Sequence, residues 1–375
     1  MIIGIDGNEA NVKNRVGVNQ YGFELLWGIR KLQDEWKNKH KVIVFLKERP
    51  LDDLPKESEF FKYKVLLGKG MWIVKKLTPY LLFSKEKVDI FFSPSHYVPL
   101  LSTMPRVCSI MDLGFLNFTT QFKKLVLWQL RLWSAYSIIV SKSIIAISNS
   151  TKEDIVRHFP FASKKVNVTH LAYDSDKYKV DVSEKDVRRI KEKHTIVGDY
   201  ILFLSTLKPS KNIESLIDAF RLVKTKYPEI KLVIAGKKGW MYESIFKKVE
   251  KLGLKKNVIF TDFVDEDEKP GLFKGAKVFV LPSFWEGFGL DVLNSLASGT
   301  PVVVSNAGSL PEVVEEAGIL INPNDTNTLY EGIVKVLSMN DLEYNKVVEK
   351  GLAQVKKFSW EKTARETLKI LEETR

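Results

Sequence analysis

The segment SFWEGFGLDVLNSLASGTP, residues 283–301, sets the reading of the whole chain. It follows Val278, Phe279, Val280 and Leu281, a short apolar run that reads as a buried parallel strand. A loop comes next, with Pro282, Glu286, Gly287 and Gly289. Leu290, Leu293, Leu296 and Ala297 then recur at helical spacing until Gly299 and Pro301 stop the helix. Val302, Val303 and Val304 begin another strand. Strand, glycine loop and helix N-terminus together form a seat for phosphate. Glycines let the backbone come close, and free N–H groups with the helix dipole favour negative charge. Glu286 is the one carboxylate projecting from this loop. A plain strand-to-helix turn with a solvated Glu fits these residues equally well, so the rest of the chain has to choose.

Bulk properties narrow the choice. At 375 residues the chain is long enough for two domains with full cores, and 45% hydrophobic content with 21 glycines fits a globular α/β protein. The single cysteine, Cys108, cannot form an intramolecular disulfide, and zinc-type Cys/His spacing is absent. A reducing, cytoplasmic setting is expected, without a signal peptide, since strand-like sequence starts at Ile2. No apolar run reaches spanning length. The net charge of +12 is uneven: residues 1–175 hold 26 Lys+Arg against 16 Asp+Glu, the remainder 32 against 30. That basic first half suits an anionic partner, such as the inner face of a membrane or a lipid phosphate. A Lys-rich solvated surface is the alternative. Nucleic acid is not expected, because no aromatic-interleaved recognition motif accompanies the charge.

Outward from the central segment, strands and helices alternate. In the first half strands are expected at 2–6, 42–46, 88–92, 106–111 and 144–147, and a polar loop at 7–16 precedes a helix with Tyr21, Phe23, Leu25, Leu26 and Ile29. Residues 118–142, rich in Leu, Trp and Tyr, read as a long core helix rather than an interfacial one. Residues 70–87, with Trp72, Tyr80 and Phe83 among four lysines, are the better candidate for touching a membrane or acceptor. Residues 172–193 lose apolar periodicity and read as a linker. In the second half strands are expected at 201–204, 232–235, 258–260, 278–281, 302–304 and 319–321. Such alternation predicts two doubly wound parallel-sheet Rossmann-like domains, 1–175 and 190–357, facing across a cleft, with ligands at strand carboxyl ends. After the first strand of the second half comes Ser205-Thr206-Leu207-Lys208-Pro209-Ser210-Lys211-Asn212. Lys211 therefore stands at a helix N-terminus, where a cation is unfavourable unless an anion joins it.

Taken together, Lys211 and the Glu286 loop make the chain resemble glycosyltransferase family 4, the retaining nucleotide-sugar transferases of the GT-B fold, mannosyl- and glucosyltransferases among them. EGFGL at 286–290 followed by SGTPVV at 299–304 is the most specific match. Gly17-Val18 with Tyr21, SIIAISNSTKEDI at 143–155, KPSKN at 208–212, FTDFVDED at 260–267, SNAGSLPEVV at 305–314 and FSW at 358–360 complete the series, nearly the length of the chain.

The resemblance implies a hexosyltransferase acting in cell-surface polysaccharide or glycoconjugate synthesis. Its donor is a GDP- or UDP-sugar bound by the second domain, and its acceptor a glycan or lipid-linked sugar bound by the first. No metal or cofactor is expected, because Lys, Arg and a helix N-terminus do the work of Mg²⁺. Gly17 would approach the diphosphate or sugar, and Lys211 would neutralise the departing diphosphate. Phe263 and the Val264 backbone would lie against the base. Glu286 with the amides of Gly287, Phe288, Gly289 and Leu290 would hold sugar and phosphates. Ser205, Thr206 and Lys208 would line the same donor side. Asp112, at the end of a first-domain strand, is the second catalytic candidate, and the last helix, 359–375, would cross back onto the first domain.

Four positions depart from the family pattern. Asn294 replaces the second Glu, which grips ribose, and can hydrogen-bond without charge. Met111 replaces a His and cannot carry a proton. His96 is the acceptor-side residue that would take over. Ser205 replaces a glycine, and an Arg is missing where Thr206 and Ser210 stand, so Lys208 would supply charge without a bidentate fork. These departures also permit a degenerate transferase that serves as a nucleotide-binding scaffold. A nucleotide-sugar epimerase is disfavoured, because no central pair of carboxylates with a His appears.

Overall fold

The computed structural model describes residues 1–119 and 123–374. The chain divides into two compact units, Met1–Leu171 joined by the stretch from Ser359 onward, and Ala172–Phe358.

The first unit is built on a seven-stranded parallel sheet: β1 (Ile2–Asp6), β2 (Lys41–Leu46), β3 (Phe61–Val65), β4 (Ile90–Ser93), β5 (Arg106–Ile110), β6 (Ser143–Ala146) and β7 (Val166–Val168), in the order β3-β2-β1-β4-β5-β6-β7. Its inner strands are the expected apolar runs. The two outermost, β3 and β7, escape the apolar-run signal because FKYKV alternates with lysines and VNV has three residues. Lysine on an outer strand also blocks unwanted pairing with another sheet. One face of the sheet is covered by the helix Val18–Lys31 and the C-terminal helix Trp360–Thr374, which contact each other. Gly28 permits that approach: a Cβ there would sit 2.9 Å from both the Trp360 carbonyl and the Ala364 methyl. Tyr21 lies 6.4 Å from Trp360, ring to ring.

The opposite face carries two buried clusters. Trp72, Leu77 and Leu81 pack on Ile43, Phe45 and Phe91. Ile138, Leu113 and Phe115 pack on Cys108, Ile110, Ile144 and Ala146. Phe91 pairs with Arg106 and Cys108 with Ile144, so both clusters lie on the same side of the sheet. Two expectations change here. Within residues 70–87, Trp72 and Leu81 belong to the core, and Met71 and Phe83 are the large apolar side chains left exposed. Residues 120–122 of the expected long core helix lie outside the described residues. The helix observed, Lys124–Val140, buries only Ser134, Ser137 and Ile138 and leaves Leu125, Trp128, Leu132 and Ile139 to solvent. Its composition is apolar nearly all round, which hides that half of it has nothing to pack against.

The second unit carries a six-stranded parallel sheet: β8 (Tyr200–Leu204), β9 (Lys231–Ala235), β10 (Val258–Asp262), β11 (Val278–Leu281), β12 (Val302–Ser305) and β13 (Gly318–Ile321), in the order β10-β9-β8-β11-β12-β13. The order reverses between β8 and β11, the two strands whose following loops carry Lys211 and Glu286. Loops diverge at such a point and leave a crevice at the strand carboxyl ends. The stretch expected as a linker contains the helix Glu184–Lys193. Ser183 caps it by accepting from the Asp186 N–H at 3.1 Å, Ile190 packs at Gly271, and His194 at its end meets Glu268 at 2.8 Å. Only Ile190 is buried, so charge density conceals the helix in the sequence. Among the described residues, no helix is long and apolar enough to cross a membrane.

Candidate functional site

Two loops meet at the carboxyl edge of the second sheet. From β8 the chain runs through Ser205, Thr206 and Lys208 into a short 3-10 turn, Pro209–Lys211. Asn212, with φ 54, then starts the helix Ile213–Lys226 and donates to the Pro323 carbonyl at 2.7 Å. Asn tolerates this left-handed backbone better than most residues. From β11 the chain runs through Pro282 into the Glu286 loop. The loops are stitched together by the Phe284 N–H, which donates to the Ser210 carbonyl at 2.9 Å.

Across that seam the Lys211 ammonium donates to Glu286 Oε1 at 2.5 Å, and the Ser283 hydroxyl donates to the same oxygen at 2.6 Å. The two charged side chains are only 11% and 12% exposed. Glu286 is thus a pinned carboxylate rather than a solvated one. The lysine that looked unfavourable before a helix has its counter-ion.

The Glu286 backbone is held as firmly. Its carbonyl accepts from the N–H and the hydroxyl of Ser309, each at 3.1 Å. Gly308 lies against it with φ +60, and a Cβ there would fall 2.4 Å from the Glu286 carbonyl oxygen. The SNAGSLPEVV segment therefore works as the clamp behind the glutamate. Gly289, φ 97, opens the helix Leu290–Ala297, which has no side-chain cap. Its first-turn N–H groups are of the kind that bind anions. Phe288 is buried edge-on against Phe358 at 5.8 Å, so the phenylalanine of the FSW motif props the glycine loop.

One turn into that helix a charged cluster appears that sequence reading passed over. Asn294 is buried and its amide points to Asp291 Oδ1 at 3.3 Å. Burial raises the Asp291 carboxyl above its ordinary range, with Lys269 pulling the other way and Glu266 adding to the rise. Burial lowers Lys269, but Asp291 and Glu266 outweigh it, and its ammonium ends above the usual value. Lys269 also bonds to Glu266, which accepts from the Tyr178 hydroxyl at 3.4 Å. The available signal was an Asp one turn before Asn294 in the first turn after a glycine loop.

The remaining residues expected on the donor side spread along the same sheet edge. Val264 is buried and Phe263 is 38% exposed, just beyond β10, so the ring rather than the valine faces outward. The Lys208 ammonium stands 5.1 Å above the Trp240 ring. It has an aromatic neighbour that the motif reading did not anticipate. Ser205 donates its N–H to the Ala235 carbonyl at 3.0 Å, and Thr206 follows directly.

Four candidates belong to the first unit. Gly17, φ 53, begins the helix Val18–Lys31 and has open space where a side chain would stand. Met111 follows β5, and its carbonyl accepts from the Thr151 hydroxyl at 3.1 Å. Asp112 Oδ1 accepts from the Gly114 N–H at 2.8 Å, so one of its oxygens is used in a turn. The His96 ring lies tilted against Tyr97 at 4.1 Å, with Nε2 buried and unpartnered. Burial lowers its pKa to about 4, which keeps the ring neutral near pH 7. Sequence reading also missed Asp6, buried at the end of β1. Burial raises its pKa to about 6 against the N–H and side-chain amide of Asn8.

Comparison with known proteins follows the same division. Residues 186–354 match the family described as Glycosyl transferases group 1. O-antigen chain mannosyltransferase B of Escherichia coli is 32% identical over 62% of this chain and 61% of its own length. Serotype-specific mannosyltransferase WbdA of the same organism is 33% identical over 59% of this chain and 28% of its own. The chain thus spans less than two thirds of these relatives. The structure of Anabaena Alr3699/HepE, in complex with UDP and glucose, superposes with a TM-score of 0.74 at 17% identity, covering 99% of each chain. The fold is GT-B. Two parallel-sheet α/β domains of seven and six strands accord with it.

Proposed function

We propose that the protein is a retaining, family 4-like glycosyltransferase that moves a hexose from a nucleoside diphosphate sugar to a glycan or lipid-linked acceptor. It would act in the cytoplasm, in cell-surface polysaccharide or glycoconjugate synthesis. The reading rests above all on one observation: the Lys211 ammonium and the Glu286 carboxylate meet at the start of the Leu290–Ala297 helix, on the carboxyl edge of the second sheet. The names of the two E. coli relatives favour mannose as the sugar. GDP- and UDP-sugars are the donors to test first.

In this reading the bond between sugar C1 and the β-phosphate oxygen breaks, and charge accumulates on the departing nucleoside diphosphate. The first-turn amides and Lys211, once the diphosphate draws its ammonium off Glu286, would receive that charge. Glu286 holds sugar hydroxyls, and Phe263 lies on the base. The Asn294 carboxamide and the Asp291 carboxylate offer acceptor oxygens to ribose hydroxyls. The first unit takes the acceptor, whose hydroxyl oxygen forms the new bond to C1 as its proton passes to the departing diphosphate.

The test is release of GDP, UDP or ADP from a panel of their sugars by purified protein, with thermal shift against the free diphosphates. Release from one sugar, reduced at least a hundredfold in Glu286→Ala, supports the reading. Neither binding nor release from any sugar sinks it. Met111 and Asn294 favour a second reading, a nucleotide-binding subunit without turnover. A diphosphate shift with no release from any sugar would select it.

A further inference from the structure

We propose that one side of the first unit is a docking surface for an anionic lipid bilayer, formed by the outer faces of residues 66–87 and of the helix Lys124–Val140. Both segments cover the same face of the seven-stranded sheet, as the strand register requires. Their inner sides fill the core. Their outer sides are apolar where a solvated surface would be polar.

On the helix, Leu125, Trp128, Leu132 and Ile139 follow one another at intervals of three, four and seven residues. They form a single stripe, each more than half exposed and opposite the buried Ser134, Ser137 and Ile138. On the neighbouring segment Leu67, Met71 and Phe83 are exposed, Phe83 at 84%. An open groove of ≈ 550 Å³ lies there, lined in part by Leu67, Lys75, Lys76 and Phe83. Scattered exposed hydrophobics are ordinary, but a continuous stripe beside a second apolar group marks an interaction surface.

Charge selects the occupant. Residues 61–142, which contain both segments, hold 12 Lys+Arg and 3 Asp+Glu, so they carry most of the excess positive charge of the chain. Lys75, Lys76, Lys85, Lys87, Lys123 and Lys124 are all exposed. A protein partner of ordinary composition would not need this imbalance. A bilayer with anionic headgroups supplies both halves: negative charge for the lysines and an acyl boundary for Trp128, Leu132 and Phe83.

The test uses the full chain and flotation with vesicles of phosphatidylcholine alone or of phosphatidylcholine with about 30% phosphatidylglycerol, a composition at which each interfacial lysine counts. Binding is expected to the anionic vesicles only, and to fall at high salt. Lys75→Gln with Lys76→Gln should weaken it about thirtyfold, roughly fivefold per lysine. Trp128→Ser with Leu132→Ser should weaken it at least about tenfold through lost apolar contact, with unchanged circular dichroism and melting temperature. No binding to either vesicle, equal binding to both, or either double variant binding like the native chain would overturn the proposal. So would light scattering that shows a dimer in the native chain, dissolved by Trp128→Ser with Leu132→Ser, because a second copy would then own the surface. Flotation requires no nucleotide, so it stands or falls separately from sugar transfer.

Discussion

Substituting Lys211 and Glu286 singly and together tests the heart of the site. Each is the partner of the other at 2.5 Å, with 11% and 12% of the side chain accessible. Removing one partner of a fully buried pair costs about 3–5 kcal/mol, because the survivor is left uncompensated. Residual access to water puts this pair lower, at about 2–3 kcal/mol for Lys211→Met or Glu286→Gln alone. The second unit has the size at which 1 kcal/mol shifts the midpoint by about 2–4 °C, so each single variant should melt about 5–10 °C lower. The double variant removes both charges and should recover about 1–2 kcal/mol relative to the sum. The ligand response separates the two residues. A diphosphate must draw the ammonium away from Glu286, so Glu286→Gln should bind GDP or UDP at least as well as the native protein while turnover falls. Lys211→Met should lose about tenfold to a hundredfold in diphosphate affinity, the worth of a charged hydrogen bond. Differential scanning calorimetry and titration calorimetry measure these quantities. Strictly additive melting shifts, or diphosphate binding lost in Glu286→Gln and kept in Lys211→Met, would refute the reasoning.

Other outcomes follow from single positions. Gly308→Ala places a methyl between backbone atoms of Glu286 in a left-handed conformation. It should cost about 2–4 kcal/mol and lower turnover by shifting the glutamate, read by melting and by diphosphate release. Phe263→Ala should raise KM for the donor by about fivefold to tenfold, the loss of roughly 1 kcal/mol of ring contact, with kcat little changed in steady-state assays. The Asp6 carboxyl is raised by burial from 3.8 to about 6, so its neutral form is the one the fold prefers. Its contribution to stability is complete below pH 3.8 and is lost as pH rises through 6, about 3 kcal/mol in all. Asp6→Asn should therefore gain about that much relative to the native chain between pH 4 and pH 7 in denaturant titrations. A constant difference across that range would show that Asp6 ionises freely.

The inner strands were legible because each is a short apolar run bounded by polar loops, and β1 and β11 fall on the residues expected. What failed to show is what apolar periodicity cannot carry: the lysine-bearing β3, the three-residue β7, and a helix at 184–193 with one buried side chain. The helix Lys124–Val140 misled in the opposite sense, since its composition is that of a core and its environment is not. Within the site, Lys211 and Glu286 each stood out alone. Their mutual bond spans 75 positions and depends on β8 and β11 being neighbours, which alternation predicts only loosely. Glu286, which as a loop carboxylate could equally be solvated, is instead paired and nearly buried. Asp291 and Lys269 gain significance only once folding buries them beside Glu266.

The helix Trp360–Thr374 is synthesised after the whole of the second unit, yet it packs on a helix that begins at Val18. On a ribosome adding about 5–20 residues per second, the chain from Leu171 to Ser359 takes roughly 10–40 s to make. Throughout that interval the amino-terminal lobe waits with the bed for this helix, Gly28 and the Tyr21 ring, uncovered. The carboxyl-terminal lobe is interposed in the sequence and can be finished first. Birth order and completion order are thus reversed, and a nascent chain stalled just before Ser359 should expose the early lobe, not the late one, to proteases and chaperones.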